Sequence, residues 1–159
     1  MAQTVLNGLD EVRAAVGQDL GSSDWLEITQ GRVDQFAEAT GDHQWIHVDP
    51  ERAAAGPFGG TIAHGYLTLS LVPFFTAQLF DVRAVQMAIN YGLDRVRFLQ
   101  PVRSGSRVRA SGSISSAEVA GRGMRIGVKI TIEIHGEAKP ALVADTIALF
   151  VGATHEELS

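Results

Sequence analysis

Gly65-Tyr66-Leu67-Thr68-Leu69-Ser70-Leu71-Val72-Pro73-Phe74-Phe75-Thr76-Ala77-Gln78-Leu79-Phe80 is the most apolar run of the chain. It reads as one helix from about His64 to Leu79, with Tyr66, Leu67, Leu69, Leu71, Val72, Phe74, Phe75 and Leu79 on nearly all of its sides. A helix without a polar face has to be wrapped by other structure. Sixteen residues of helix span about 24 Å, short of the roughly 30 Å of a bilayer core. Thr68, Ser70, Pro73, Thr76 and Gln78 also interrupt the run, so a buried core helix is expected, kinked where Pro73 frees the Leu69 carbonyl.

The chain beyond this run is β-rich. Val85–Tyr91, Val96–Leu99, Arg107–Ser115, Met124–His135 and Ala141–Val151 read as strands separated by Gly, Ser and Pro turns. The clearest has Val128, Ile130, Ile132 and Ile134 on one face and Lys129, Thr131, Glu133 and His135 on the other. The chain ahead of the run is mostly helical. Leu9–Val16 reads as a short helix closed by Gly17, and Trp25–Thr29 as a strand after Gly21-Ser22-Ser23. Thr29 then caps a helix to about Ala39, with Gly41 as its left-handed stop. Asp49-Pro50 is a cap and first-turn pair for a helix to about Ala55. The layout is α+β: an antiparallel sheet wrapped around one long apolar central helix. With no linker or repeat, residues 1–159 read as one domain, with 1–23 as an N-terminal helical extension.

Composition narrows the function. The chain has 159 residues, 45% of them apolar and 19% charged, with a net charge of −5. No basic stripe suggests a nucleic acid or a membrane surface as partner. There is no cysteine, which removes disulfides, thiolate metal sites and a thiol nucleophile. Met1–Asp10 has neither the basic nor the apolar part of a signal peptide, and a cytoplasmic soluble protein is expected.

The chemistry-bearing residues sit just before the apolar run. Thr40-Gly41-Asp42-His43-Gln44-Trp45-Ile46-His47-Val48-Asp49-Pro50 places a carboxylate and an imidazole five positions apart, in what reads as a loop. Seventeen residues beyond His47 comes Ala63-His64-Gly65. Taken alone, Asp42 is a polar residue after a helix end and His47 a residue before an Asp-Pro cap. His43, His47 and His64 also offer the donors of a metal site, though the first two are spaced for a loop more than a helix face.

The motif Ala39-Thr40-Gly41-Asp42-x-x-x-x-His47-x-Asp49-Pro50, succeeded by Pro57-Phe58-Gly59-Gly60-Thr61-Ile62-Ala63-His64-Gly65, resembles the MaoC-like (R)-specific enoyl-CoA hydratases of the hot-dog fold. Asp42–Asp49 and Asn90–Phe98 look closest to the nodulation protein N-like subgroup, and the resemblance runs from about Trp25 to Val151. It implies a hydro-lyase that adds water syn to a trans-2-enoyl-CoA, giving the (R)-3-hydroxyacyl-CoA, with no cofactor and no metal. It implies Asp42 and His47 as the catalytic pair and the Gly65 N–H as the holder of the thioester oxygen, with His64, Gln44, Asn90 and Tyr91 as further substrate-binding candidates. Most members carry Asn-Pro where this chain has Gln44-Trp45, a difference that bears on substrate preference. A homodimer is implied as well, because hot-dog domains pair sheet edges across a two-fold axis. Arg95, Arg97, Arg103, Arg107 and Arg109 could meet coenzyme A phosphates or form a solvated sheet face. A hot-dog acyl-CoA thioesterase and a non-catalytic acyl-binding protein are the alternatives. The first generally needs an acid on or near the central helix, and Gly65–Phe80 has none.

Overall fold

The computed structural model describes residues 2–152, so the ends of the expected 1–159 domain, residue 1 and residues 153–159, lie outside the described part. The chain begins with strand β1 (Thr4–Asn7), helix α1 (Leu9–Ala14), and strands β2 (Asp19–Ser22) and β3 (Leu26–Glu27). Next come the helices α2 (Gln30–Thr40), α3 (Trp45–Val48), α4 (Pro50–Ala54), α5 (Gly65–Ser70) and α6 (Val72–Leu79), the last two making up the apolar run. Strands β4 (Phe80–Arg83), β5 (Val85–Phe98), β6 (Arg107–Ala120), β7 (Gly123–Ile134) and β8 (Leu142–Gly152) complete the described chain.

The main sheet is antiparallel, in the order β2-β6-β7-β8-β5, with β3 also pairing β6. Strand β7 sits at its centre and keeps the expected alternation. Ile126, Val128, Ile130, Ile132 and Ile134 are buried, while Lys129 is exposed. This face packs with Leu67, Leu71, Phe75 and Leu79 into one core cluster. The α+β layout expected from the sequence is the one observed.

Four features differ from expectation. The central helix is two helices, α5 and α6, parted at Leu71. Pro73 lies in the first turn of α6, where its missing N–H costs no hydrogen bond, so the chain restarts the helix instead of bending through the proline. Nor is the helix wrapped on every side within one chain: Tyr66 is 70% and Phe74 51% exposed. Residues 85–98 form one strand where two were expected, because register shifts between Asn90 and Gly92 and between Leu93 and Arg95 absorb the turn-like Gly92-Leu93-Asp94. The N-terminal segment is only partly helical. Besides α1 it supplies β1, which pairs parallel with β4, and β2, which joins the main sheet through β6. These strands have four residues each, too few to show an alternation.

Candidate active site

Asp42 is placed by the end of α2. Gly41 stops that helix at φ 83°, a conformation that costs glycine little, and its N–H donates to the Ala37 carbonyl at 2.8 Å. The chain then turns on Asp42 itself, whose Oδ1 accepts from the Gln44 N–H at 3.3 Å. His47 comes next, in α3, a one-turn helix where a loop was expected. Its ring is 6% exposed, and Nδ1 lies 2.7 Å from the Ile62 carbonyl. A carbonyl only accepts, so Nδ1 carries the proton and Nε2 keeps its lone pair. Burial pushes the His47 imidazole below its ordinary 6.5, against the upward pull of the Ile62 hydrogen bond; the neighbouring His64 lowers it and Asp42 raises it. The neutral, Nε2-basic form is therefore the resting form near pH 7.

His64, 3% exposed, stacks on His47 with ring centroids 3.8 Å apart and planes inclined by 23°. Its Nε2–H donates to the Asp42 carbonyl at 2.9 Å, and its Nδ1 has no partner among the described residues. His64 thus links the two residues of the pair. One donor atom from each of Asp42, His47 and His64 lies within 4.8 Å of the others, so these three are the residues that could hold a metal. The geometry fits a metal poorly. Stacked imidazoles direct their in-plane lone pairs along nearly parallel planes, away from a common tetrahedral apex. The trio His43, His47 and His64 is not assembled at all, because His43 is exposed and faces Glu38 at 3.4 Å.

His47 opens on a cleft of about 520 Å³ lined also by Phe58, Gly65, Tyr66, Thr68 and Phe98. Gly65 is the first residue of α5, where a backbone N–H has no partner within the helix. A Cβ at Gly65 would stand 3.1 Å from the Phe98 ring, so glycine is what lets the wall close over this backbone. Asp42, His47, His64 and Gly65 are therefore brought together as expected from the sequence.

The other candidates are not. Gln44 is exposed, and its backbone, not its carboxamide, meets Asp42. Asn90 and Tyr91 lie inside β5 and line a different cleft, between β5 and the α5–α6 pair. Phe98 is the β5 residue that lines the His47 cleft, and Asn90 lies eight residues back along the strand from Phe98, at most about 26 Å away. Arg107 and Arg109 are engaged elsewhere, by His135 at 3.2 Å and Glu133 at 2.7 Å. Phe98, Thr68 and the Ile62 carbonyl were missed. Ile62 stood inside the Pro57–Gly65 motif and Phe98 at the end of the Asn90–Phe98 stretch, but a backbone acceptor and an apolar ring leave no chemical signal of their own.

Comparison with known proteins gives the chain's family. The family model described as MaoC like domain matches residues 11–136. The 3-hydroxyacyl-thioester dehydratase Z of Mycobacterium tuberculosis is 56% identical over 142 residues, covering 89% of this chain and 94% of that protein. Nodulation protein N of Rhizobium leguminosarum bv. viciae is 48% identical over 144 residues, covering 89% of each. Among solved structures, the (R)-hydratase from A. caviae involved in PHA biosynthesis superposes with a TM-score of 0.69 at 23% identity, over 84% of this chain and 94% of that one, and shares the hot-dog fold. This chain belongs to the MaoC-like domain family.

Proposed function

We propose that this protein is a hydro-lyase that adds water syn to a trans-2-enoyl-CoA, giving the (R)-3-hydroxyacyl-CoA, and catalyses the reverse dehydration. The observation that carries the proposal is the His47 Nε2 lone pair, on a cleft shared with the Gly65 backbone, with the Asp42 carboxylate close by. A spacing within 4.8 Å suits one bridging water. Asp42 accepts one of its hydrogens and orients it. His47 takes the other as the oxygen bonds to C3, and returns that proton to C2 on the same face, so one water supplies both groups. The charge that develops on the thioester oxygen is met by the Gly65 N–H. His64 holds Asp42 and His47 in place, a change from the substrate contact expected of it. The names of the mycobacterial dehydratase and of the A. caviae (R)-hydratase support this chemistry.

Loss of the enoyl-thioester absorbance, run beside thiol detection, tests the proposal. Absorbance loss without thiol release, with (R) product, is expected. Thiol release would favour the thioesterase reading, which the absence of Asp or Glu from α5 and α6 opposes. Gly65→Ala is expected to lower kcat by about 10²-fold, the effect of an ~1 Å displacement, because the new Cβ forces Phe98 and the thioester apart.

A homodimer is part of the proposal. Strand β5 is a 14-residue sheet edge with nearly every residue exposed, including Met87, Ile89, Tyr91 and Leu93. Such an edge needs a cover. A cleft of about 830 Å³ separates this edge from Val72, Pro73 and Thr76 of α6, and a second copy would cover the edge and the cleft mouth together. Ile89→Lys adds a charge to the β5 edge of each copy; in edges paired about a two-fold axis perpendicular to the strand, the two charges fall on one seam, which should weaken the dimer at least ~10²-fold. Light scattering gives the mass. A wild-type monomer at micromolar concentration would contradict the assembly. An acyl-CoA substrate fits a cytoplasmic role in fatty acid metabolism, with residues 1–159 acting as one unit.

A further inference from the structure

Gln30, the first residue of α2, makes every hydrogen bond its carboxamide can make. Nε2 donates to the His47 carbonyl at 2.7 Å and to Asp34 Oδ1 at 2.9 Å. Oε1 accepts from the hydroxyls of Thr61 and of Ser104, the latter at 2.9 Å. The orientation of the amide is fixed by its neighbours, since a carbonyl and a carboxylate can only accept. The partners lie 17, 4, 31 and 74 residues away and join α2, α3 and the segments before α5 and β6.

Two of these bonds converge on His47. Helix α3 has one turn; the Asp49 N–H at its end takes the Trp45 carbonyl at 3.1 Å, while the His47 carbonyl, among the last of the helix, takes Gln30 as its partner. Thr61 adjoins Ile62, whose carbonyl receives the His47 Nδ1–H and whose N–H donates to the Ile46 carbonyl at 3.0 Å. A single carboxamide thus grips the backbone of His47 on one side and the segment that holds its ring on the other. Gln30 is not among the residues lining the His47 cleft, so any effect on the reaction passes through His47.

We propose that Gln30 is a positioning residue for His47, tying its main chain to the Thr61-Ile62 segment so that the ring keeps its Nδ1–H on Ile62 and its Nε2 toward the cleft. The proposal rests on His47 being the catalytic base, and its test separates the two.

Gln30→Glu keeps the size and the acceptors for Thr61 and Ser104, but sets an anion against the His47 carbonyl and the Asp34 carboxylate. It is expected to lower kcat for enoyl-CoA hydration about tenfold or more while KM stays within about twofold, the pattern of a lost transition-state alignment. The ring ¹⁵N spectrum of His47 should change from one Nδ1-protonated form to a mixture of tautomers. Adding Asp34→Asn restores a donor on the outer side only, so thermal stability should recover while kcat does not. Asp34→Ala alone should keep kcat within about twofold. If Gln30→Glu does not fold, Gln30→Met, which removes all four bonds without adding charge, carries the same expectations. A wild-type tautomer spectrum in the folded variant overturns the proposal, and so does a kcat that simply tracks the melting temperature across the series. The spectrum is read without substrate. A lost tautomer supports the positioning role even if the wild type hydrates nothing, an outcome that would sink only the catalytic reading.

Discussion

His47→Gln abolishes hydration and leaves the fold standing. Its kcat/KM should fall by about 10³-fold, inside the ~10² to 10⁴ that a positioned acid–base group contributes. The reason lies in the tautomer. Glutamine can still donate toward the Ile62 carbonyl, but it has no basic nitrogen to take a proton from water. The unfolding free energy should therefore move by only about 1 kcal/mol, the net worth of an ordinary hydrogen bond. Asp42→Asn should lose comparable activity, since it keeps the shape of an exposed side chain and removes its charge. The pH dependence gives a second reading. Burial holds His47 below 6.5 in the folded chain, so on acidification the unfolded chain takes up its proton first. This contribution to stability is complete above pH ~6.5 and is lost as pH falls through the depressed folded value. The acid limb of kcat/KM should accordingly lie below pH ~6.5. In His47→Gln the stability slope in that window should flatten, as denaturant melts above and below it would show. If the variant keeps most of its turnover, or the acid limb lies above 6.5, His47 is not the base.

The parts of this site that were legible in the sequence are the local ones. Thr29 accepts from the Arg32 N–H at 3.1 Å, Asp49 accepts from the Arg52 N–H at 3.1 Å, and Gly41 takes the left-handed conformation, each as its residue type suggests. These caps bound the path from Asp42 to His47, but the pair itself was named by the family motif, since each residue read alone has an ordinary local role. The alternation in β7 was legible because one face meets the core and the other does not. Tertiary relations were not. Nothing in Asn90-Tyr91 tells which end of a 14-residue strand approaches the site, and Phe98 at the other end does so. Gln30 reads as an ordinary helix-start residue, since its partners are brought to it only by folding. The break at Leu71 was hidden because proline is equally at home in a kink and in a first turn, and the residues around it are apolar in either case.

Phe74 and Phe75 are chain neighbours with opposite surroundings, and truncating each should give opposite results. Phe75 is fully buried and belongs to the core cluster with Leu67, Leu71, Leu79, Ile130 and Ile132. Its N–H also donates to the Leu71 carbonyl at 3.1 Å, across the break between α5 and α6. Phe75→Ala removes the ring from the seam that fastens α6 to the sheet, and the walls there are main-chain-braced strands with little freedom to collapse. The expected cost is about 3 to 5 kcal/mol, a large share of the roughly 5 to 15 kcal/mol that holds a domain folded. Since 1 kcal/mol moves a chain of this size by about 2 to 4 °C, the melting temperature should fall by about 6 to 20 °C. Phe74 is half exposed in the single chain, and its neighbours Val72 and Pro73, not Phe74 itself, line the cleft beside β5. Phe74→Ala should therefore change unimolecular stability little, by about 0.5 kcal/mol as at other surface positions, while weakening association with a second copy that covers it, so that the melting temperature depends less on protein concentration than in the wild type. Equal losses from the two variants, independent of concentration, would mean that α6 is enclosed within one chain after all, and the case for a partner on that face would fall.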